Sequence, residues 1–256
     1  MGKDRMPVIF VGHGSPTNAL GANPARQRWI ELGRTLGKPT VIIAISAHWT
    51  TQGLKVRPDG DNPQIFDMYG FPRELYQVRY QPAGSPAFAA ELITLTQGQA
   101  AADSSWGLDH GVWTVLSNMY PQANVPVVMV STDITASPAQ QFETGRQLTA
   151  LRDQGALIMA SGNVVHNLAL VDWDSAGGFA WADRFDKTIQ DAILARDYAT
   201  PIGYQRLADH DQAVPTVEHY YPLLTALGAV RPDDEVTVFN SYRELGSLSM
   251  TSYLFC

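Results

Sequence analysis

The chain has 256 residues, 45% of them hydrophobic and 17% charged, with a formal net charge of −7. That length fits one large α/β domain or two small ones, and the acidic excess argues against nucleic acid or an anionic membrane as partner. The single cysteine, Cys256, excludes an intrachain disulfide and a thiolate metal site, and with no apolar run of membrane-span length and no signal-peptide core after Met1 the expected location is the cytoplasm.

Val8 to Val11 is an apolar run that breaks into Gly12-His13-Gly14-Ser15-Pro16, which reads as a buried strand ending in a sharp turn. His13 is thereby placed at the carboxyl end of a strand, where open α/β sheets bind ligands. Asn23-Pro24 reads as an N-cap and first helical residue, and Trp29, Leu32 and Leu36 recur at helical spacing before Gly37 stops the helix. Val41 to Ala47 is a second apolar strand, ending on His48, and Leu54 to Val56 is a short pairing strand. Residues 59–84 are rich in proline, glycine and aromatics. They are too many for a simple connection and too aromatic for a solvated linker, so they are expected to wall or cover a site.

Ser85-Pro86 caps a helix running to about Gln97, and Trp106-Gly-Leu-Asp-His110-Gly-Val-Trp113 turns into a helix that ends before Pro121. Val125 to Ser131 is a buried strand, and Pro138 starts an amphipathic helix with Phe142, Leu148 and Leu151 on one face. Ala156 to Ala160 is another buried strand, closing on Ser161-Gly-Asn-Val-Val-His166-Asn167. Residues 172–178 read as a surface loop, and Phe179 to about Arg196 as a helix with Phe185, Ile189 and Ile193 inward. Residues 197–215 are polar and irregular. Pro215-Thr216-Val-Glu-His219 opens a helix with His219 in its first turn, ended by Gly228, and Val236–Asn240 and Ser247–Phe255 close the chain as paired strands. The alternation, without repeats or composition shifts, predicts one α/β domain over residues 1–256, a mainly parallel central sheet flanked by helices. The final strands are expected to be antiparallel at one edge.

Four of the six histidines (His13, His48, His166 and His219) fall at strand ends or a helix start, and His110 lies in the turn between Asp109 and Gly111. One buried histidine alone most simply satisfies a backbone carbonyl. Two hydrophobic strands that each end on an imidazole point instead to a metal site at one sheet edge. Without thiolates, a metal must be held by imidazole, carboxylate and water. Three protein ligands leave positions for substrate and water; an all-histidine set leans toward zinc and is compatible with iron. Glu218 is a candidate carboxylate ligand, but on a helix it points about a quarter turn from His219, so one of the two faces the metal, and His219 is the expected one. His210, flanked by Asp209 and Asp211, reads as a surface residue. Ser15 lies in no G-x-S-x-G elbow, and no Walker lysine follows Gly12 and Gly14.

Six motifs occur in order: Val11-Gly-His13-Gly-Ser-Pro16, Ser46-Ala-His48-Trp49, Tyr69-Gly-Phe71-Pro72, Trp106-Gly-Leu-Asp-His110-Gly111, Ser161-Gly-Asn-Val-Val-His166-Asn167 and Pro215-Thr-Val-Glu-His219-Tyr-Tyr-Pro-Leu-Leu224. Together they resemble the DOPA extradiol dioxygenase family of class III ring-cleaving dioxygenases, related to the β subunit of protocatechuate 4,5-dioxygenase. The resemblance spans nearly the whole chain. It implies one non-haem divalent metal per chain held by His13, His48 and His219, with Fe(II) expected for turnover and Zn(II) compatible with binding. It assigns His166 to acid–base catalysis or, with zinc, to further metal contact, and places His110 facing the substrate. The implied partners are a small catechol such as DOPA and O2, the implied reaction 4,5-extradiol ring opening. Class III enzymes typically carry a glutamate where this chain has His219, and many relatives carry histidine where it has Val214. The alternatives are a zinc hydrolase of a small amide or ester and a noncatalytic metal-binding protein. No nucleic-acid or membrane partner is expected, and the assembly is expected to be a monomer or small homo-oligomer.

Overall fold

In the computed structural model, which describes residues 5–256, the apolar runs become strands because both of their faces find helices to pack on. The strands are β1 (Val8–Gly12), β2 (Val41–Thr51), β3 (Lys55–Val56), β4 (Ala101–Ala102), β5 (Val127–Asp133), β6 (Ala156–Gly162), β7 (Val236–Phe239), β8 (Arg243–Glu244), β9 (Leu248–Ser249) and β10 (Ser252–Phe255). Eight of them form one sheet in the order β4-β3-β5-β2-β6-β1-β10-β7, and β8 and β9 pair separately. The centre, β5-β2-β6-β1, is parallel. β10 runs antiparallel to β1 and β7 antiparallel to β10, so the expected antiparallel pair closes one side. At the other side β3 is antiparallel to β5. The leader-free start read from Met1 to Asp4 lies outside the described residues.

The helices are α1 (Pro24–Thr35), α2 (Pro86–Leu95), α3 (His110–Met119), α4 (Pro138–Leu148), α5 (Ala180–Leu194), α6 (Ala199–Ile202), α7 (His210–Ala213) and α8 (Tyr221–Gly228). Side chains alternate across the strands. Ile9, Val11, Ile42, Ala44 and Met159 join Trp29 and Leu32 of α1 and Val112, Trp113 and Leu116 of α3 in one core. Val8, Phe10, Ile43 and Ile158 join Leu92 of α2, Leu148 of α4, Phe185 and Ile189 of α5 and Leu223 of α8 in the other. Continuous apolar strands are the signature of a sheet buried on both faces. On the second face α4 and α8 meet backbone to backbone. A Cβ on Gly145 would stand 1.9 Å from the Thr225 carbonyl oxygen, and one on Gly228 1.9 Å from that of Phe142.

Four expectations are corrected. β2 does not end at His48 but runs to Thr51, with a register shift against β5 between Ile45 and Thr50. Such a bulge re-aims a side chain without ending the strand, and here the Thr132 hydroxyl donates to the Ser46 carbonyl inside it at 2.8 Å. His219 lies in the turn before α8 rather than in its first turn, because Pro222, which lacks an N–H, fits only at a helix start. Residues 197–215 are not wholly irregular but hold α6 and α7. The strand read over 247–255 divides into β9 and β10, where the Asp186 carboxylate of α5 accepts the Ser249 and Thr251 hydroxyls at 2.5 and 2.8 Å. Among the described residues no helix is long and apolar enough to cross a membrane.

Candidate metal centre

The carboxyl ends of β1 and β6 and the bulge of β2 bring their histidines together on one side of the sheet. His13 follows β1 directly; its N–H donates to the Gly162 carbonyl at 3.3 Å, and Gly14 turns the chain away with φ +59°. His48 sits in the β2 bulge. His110 is the first residue of α3, and a Cβ on the following Gly111 would stand 2.8 Å from the His48 ring. His166 follows β6, its N–H donating to the Ala213 carbonyl at 3.0 Å. His219 is held against the end of β6 as well: its carbonyl accepts the Asn163 N–H at 2.8 Å, and a side chain on Gly162 would collide with that carbonyl.

All five predicted site histidines therefore meet, while His210 pairs with Asp211 and the Leu207 carbonyl. The His13 and His48 Nε2 atoms lie 3.0 Å apart. Ring centroids are 5.0 Å apart for His13–His48, 5.5 Å for His13–His219 and 5.0 Å for His48–His219. The His110 ring lies 3.9 Å from that of His48, and the His166 ring stacks on His219 at 3.5 Å with 4° between planes. By donor atoms alone, His13, His48 and His110 lie within 4.8 Å of one another, and His166, Glu218 and His219 form a second such set.

The model of the catalytic LigB subunit of aromatic ring-opening dioxygenase matches residues 19–256. The chain belongs to this family. It is 41% identical to 4,5-DOPA dioxygenase extradiol of Escherichia coli K12, over 98% of this chain and 95% of that protein. Against the Beta vulgaris protein of the same name the identity is 33%, over 97% and 96%. A crystal structure of an uncharacterized Escherichia coli K12 protein superposes with TM-score 0.86 at 37% identity, covering 98% of this chain and 100% of that one. The LigB-family chain is thus an extradiol ring-cleaving dioxygenase with the α/β fold read from its sequence.

Whether its histidines suit one metal can be tested on the rings themselves. Imidazoles bound through nitrogen at about 2.1 Å and near-tetrahedral angles put their centroids about 5 Å apart. His13, His48 and His219 meet that spacing pairwise. His48 and His110 are too close to share an ion as they stand. Stacked in parallel, His166 and His219 cannot both aim an in-plane lone pair at one point. The tautomers agree. His13 Nδ1 donates to Ser161 Oγ at 2.9 Å, because the Ser161 hydroxyl is itself committed to the Gly111 carbonyl. His219 Nδ1 faces Glu218 Oε1 at 3.4 Å, and His48 Nδ1 lies 3.7 Å from Asp67 Oδ2. Each ring is left presenting Nε2, and that of His219 is buried without a hydrogen-bond partner. Three unprotonated ring nitrogens at this ring spacing fit a borderline divalent cation.

Burial, and then the neighbouring imidazoles, hold His13, His48 and His219 well below the usual histidine range. Burial lowers His166 to about 4, against the opposing pull of Glu218. All four rings are thus neutral at neutral pH, as metal ligands and proton acceptors must be. Asp109, buried and beside Asp67, rises to about 6 while accepting from Ser46 Oγ and Trp106 Nε1. Burial also pushes Asp67 up, but its hydrogen bonds and charge contact with His110 outweigh this and leave it below the usual carboxylate range.

Depressed imidazoles stay unprotonated in the folded metal-free protein while those of the unfolded chain take up protons. Their contribution to stability is intact above about pH 6.5 and lost as the pH falls toward about 4. For His166 alone the loss is on the order of 3 kcal/mol. Urea unfolding of the metal-free protein near pH 7 and near pH 4.5 should show it, and His166→Gln should flatten the difference; a variant with the same pH dependence as the parent would refute the assignment.

Asp67 and Ser161 carry much of this geometry and were not among the predicted site residues. The available signals were the aromatic stretch around Asp67, already expected to wall a site, and the position of Ser161 at the end of β6.

Proposed function

We propose that the chain opens the ring of a small catechol such as DOPA at the 4,5-extradiol bond with O2, residues 1–256 acting as one catalytic domain. The reading rests on one observation above all: the near-equal spacing of the His13, His48 and His219 rings around the partnerless Nε2 of His219. Those three residues would hold one divalent metal per chain. Fe(II), when bound there, supplies the one-electron steps between catechol and O2 that Zn(II), with no second oxidation state, lacks. The rest is done by side chains of this chain.

His166 is neutral at working pH and its ring stacks on that of His219, so it takes a catechol hydroxyl proton and later returns one to the departing oxygen. His110 gives its Nδ1–H to Asp67 at 2.9 Å, which leaves Nε2, on a ring 3.9 Å from that of His48, as a hydrogen-bond acceptor for the substrate. Phe66, which packs on Tyr76 and Trp113, and Met68 flank Asp67 in sequence and with Phe71 are partly buried against the core, so they are the apolar side chains we assign to the substrate ring. Both atoms of O2 enter the product across the carbon–carbon bond beside the diol, one as the aldehyde oxygen and one in the carboxylate.

The test is anaerobic loading with Fe(II) followed by DOPA or caffeate in air. A yellow ring-opened product with matching O2 uptake is expected. Turnover of an amide or ester with zinc and no O2 uptake would replace the reading with a hydrolase. Metal binding without any turnover would leave a binding protein.

A further inference from the structure

Asp67 lies in the irregular 59–84 segment, far in sequence from both histidines it meets. Its side chain is only 8% exposed. Oδ1 accepts the backbone N–H of His110 at 2.9 Å; Oδ2 accepts His110 Nδ1–H at 2.9 Å and stands 3.7 Å from His48 Nδ1. It also does for α3 what Asp109 at the N-cap position does not, since the Asp109 carboxylate is committed to Ser46 and Trp106. A carboxylate at a helix N-terminus is favourable, but an end cap alone has no need to touch two imidazoles.

We infer that Asp67 is a positioning residue that fixes, with one carboxylate, the metal-facing nitrogen of His48 and the accepting nitrogen of His110. The inference rests on the proposed roles of those two histidines. An ionised carboxylate only accepts hydrogen bonds, so His110 must present Nδ1–H to it, and the same negative charge, 3.7 Å from His48 Nδ1 and beyond hydrogen-bond reach, favours the His48 tautomer with its proton on Nδ1. Nε2 of His48 is then left toward His13 Nε2, 3.0 Å away, and Nε2 of His110 as a lone pair. The substrate group that meets His110 is therefore a hydroxyl that donates, not a carbonyl that accepts. Asp67 also makes the aromatic wall part of the site, because the residue that anchors Phe66 and Met68 to α3 is the one that orients the rings.

Asp67→Asn places an amide N–H where one of these acceptors was, which disfavours Nδ1–H on one ring. Zinc affinity, read by chelator competition, is expected to fall about ten- to a hundredfold, as for loss of other carboxylates behind metal-bound histidines. In the Fe(II) protein kcat should fall by a similar factor with a smaller change in KM. Asp67→Glu, which keeps the charge, should recover part of both. Long-range 1H–15N spectra of the zinc-loaded parent should show His110 protonated on Nδ1. Parent-like affinity and kcat in folded Asp67→Asn, or His110 protonated on Nε2 in the parent, overturns the inference; the spectrum decides even where the variant does not fold. Zinc affinity and tautomer need no dioxygenase activity, so a parent that fails to open catechols would refute the proposed function and leave this test standing.

Discussion

His166→Gln is expected to keep its metal and to lose roughly two to four orders of magnitude in turnover, the usual worth of a positioned acid–base group. The His166 ring lies flat on His219 at 3.5 Å, with its plane parallel to that ring, so its in-plane lone pair is not aimed where His219 aims. Burial keeps it neutral down to about pH 4. It can accept a proton at neutral pH and, once charged in buried surroundings, gives it back readily. Glutamine can hydrogen-bond but cannot cycle a proton, so the loss should fall on kcat rather than on KM. Metal content and turnover measured on one preparation separate the roles. Loss of metal together with activity would make His166 a required ligand, and full occupancy with near-parental turnover would remove it from both roles.

His13→Ala and His48→Ala are each expected to abolish stoichiometric metal binding. Each removes one of the three ring nitrogens proposed to hold the metal and leaves two. His110 Nδ1 is held by Asp67, and Glu218 Oε1 accepts the Thr216 hydroxyl at 2.7 Å while facing His219. Two remaining imidazoles do not make the three-ligand set that a tight site needs. Metal analysis after dialysis against a weak chelator reads the outcome. Retention of one equivalent in either variant would move the centre to another set, of which His166 with Glu218 and His219 is the one that both variants leave intact. The two variants must agree; metal lost from His48→Ala but kept by His13→Ala would place His13 outside the coordination sphere.

The parallel centre of the sheet was legible because β1, β2, β5 and β6 are apolar without alternation, and such runs have only one kind of home in a chain of this size. The histidines were legible because glycine, serine or proline breaks those runs beside them. His219 was placed on the wrong side of a helix start because its neighbours Tyr220 and Tyr221 suit a helix as well as a turn, and only Pro222 marks the boundary. The bulge that aims His48 has no local signature, since Ser46 and Ala47 pass for ordinary strand residues. Asp67 was hidden for a different reason. One acid among several in an irregular segment gains its role only when the fold carries it to the start of α3, and no periodicity or spacing encodes that approach.

The placement of β1 has a consequence for the order in which the molecule can be made. Its two partners in the sheet are β6 and β10, and the Gly12 N–H donates to the hydroxyl of Ser252, 240 residues away along the chain. An emerging polypeptide carries His13 and His48 early, yet has nothing to seat the first of them until residues 156–162 have been synthesised, and lacks the third proposed ligand until residue 219. Long-range pairings of this kind form late and slowly. The metal therefore cannot act as a nucleus around which the chain collapses, in the way zinc organises a finger domain. It is a late guest, admitted to a sheet already closed, and a shortage of the metal would leave folded, empty protein rather than unfolded chain.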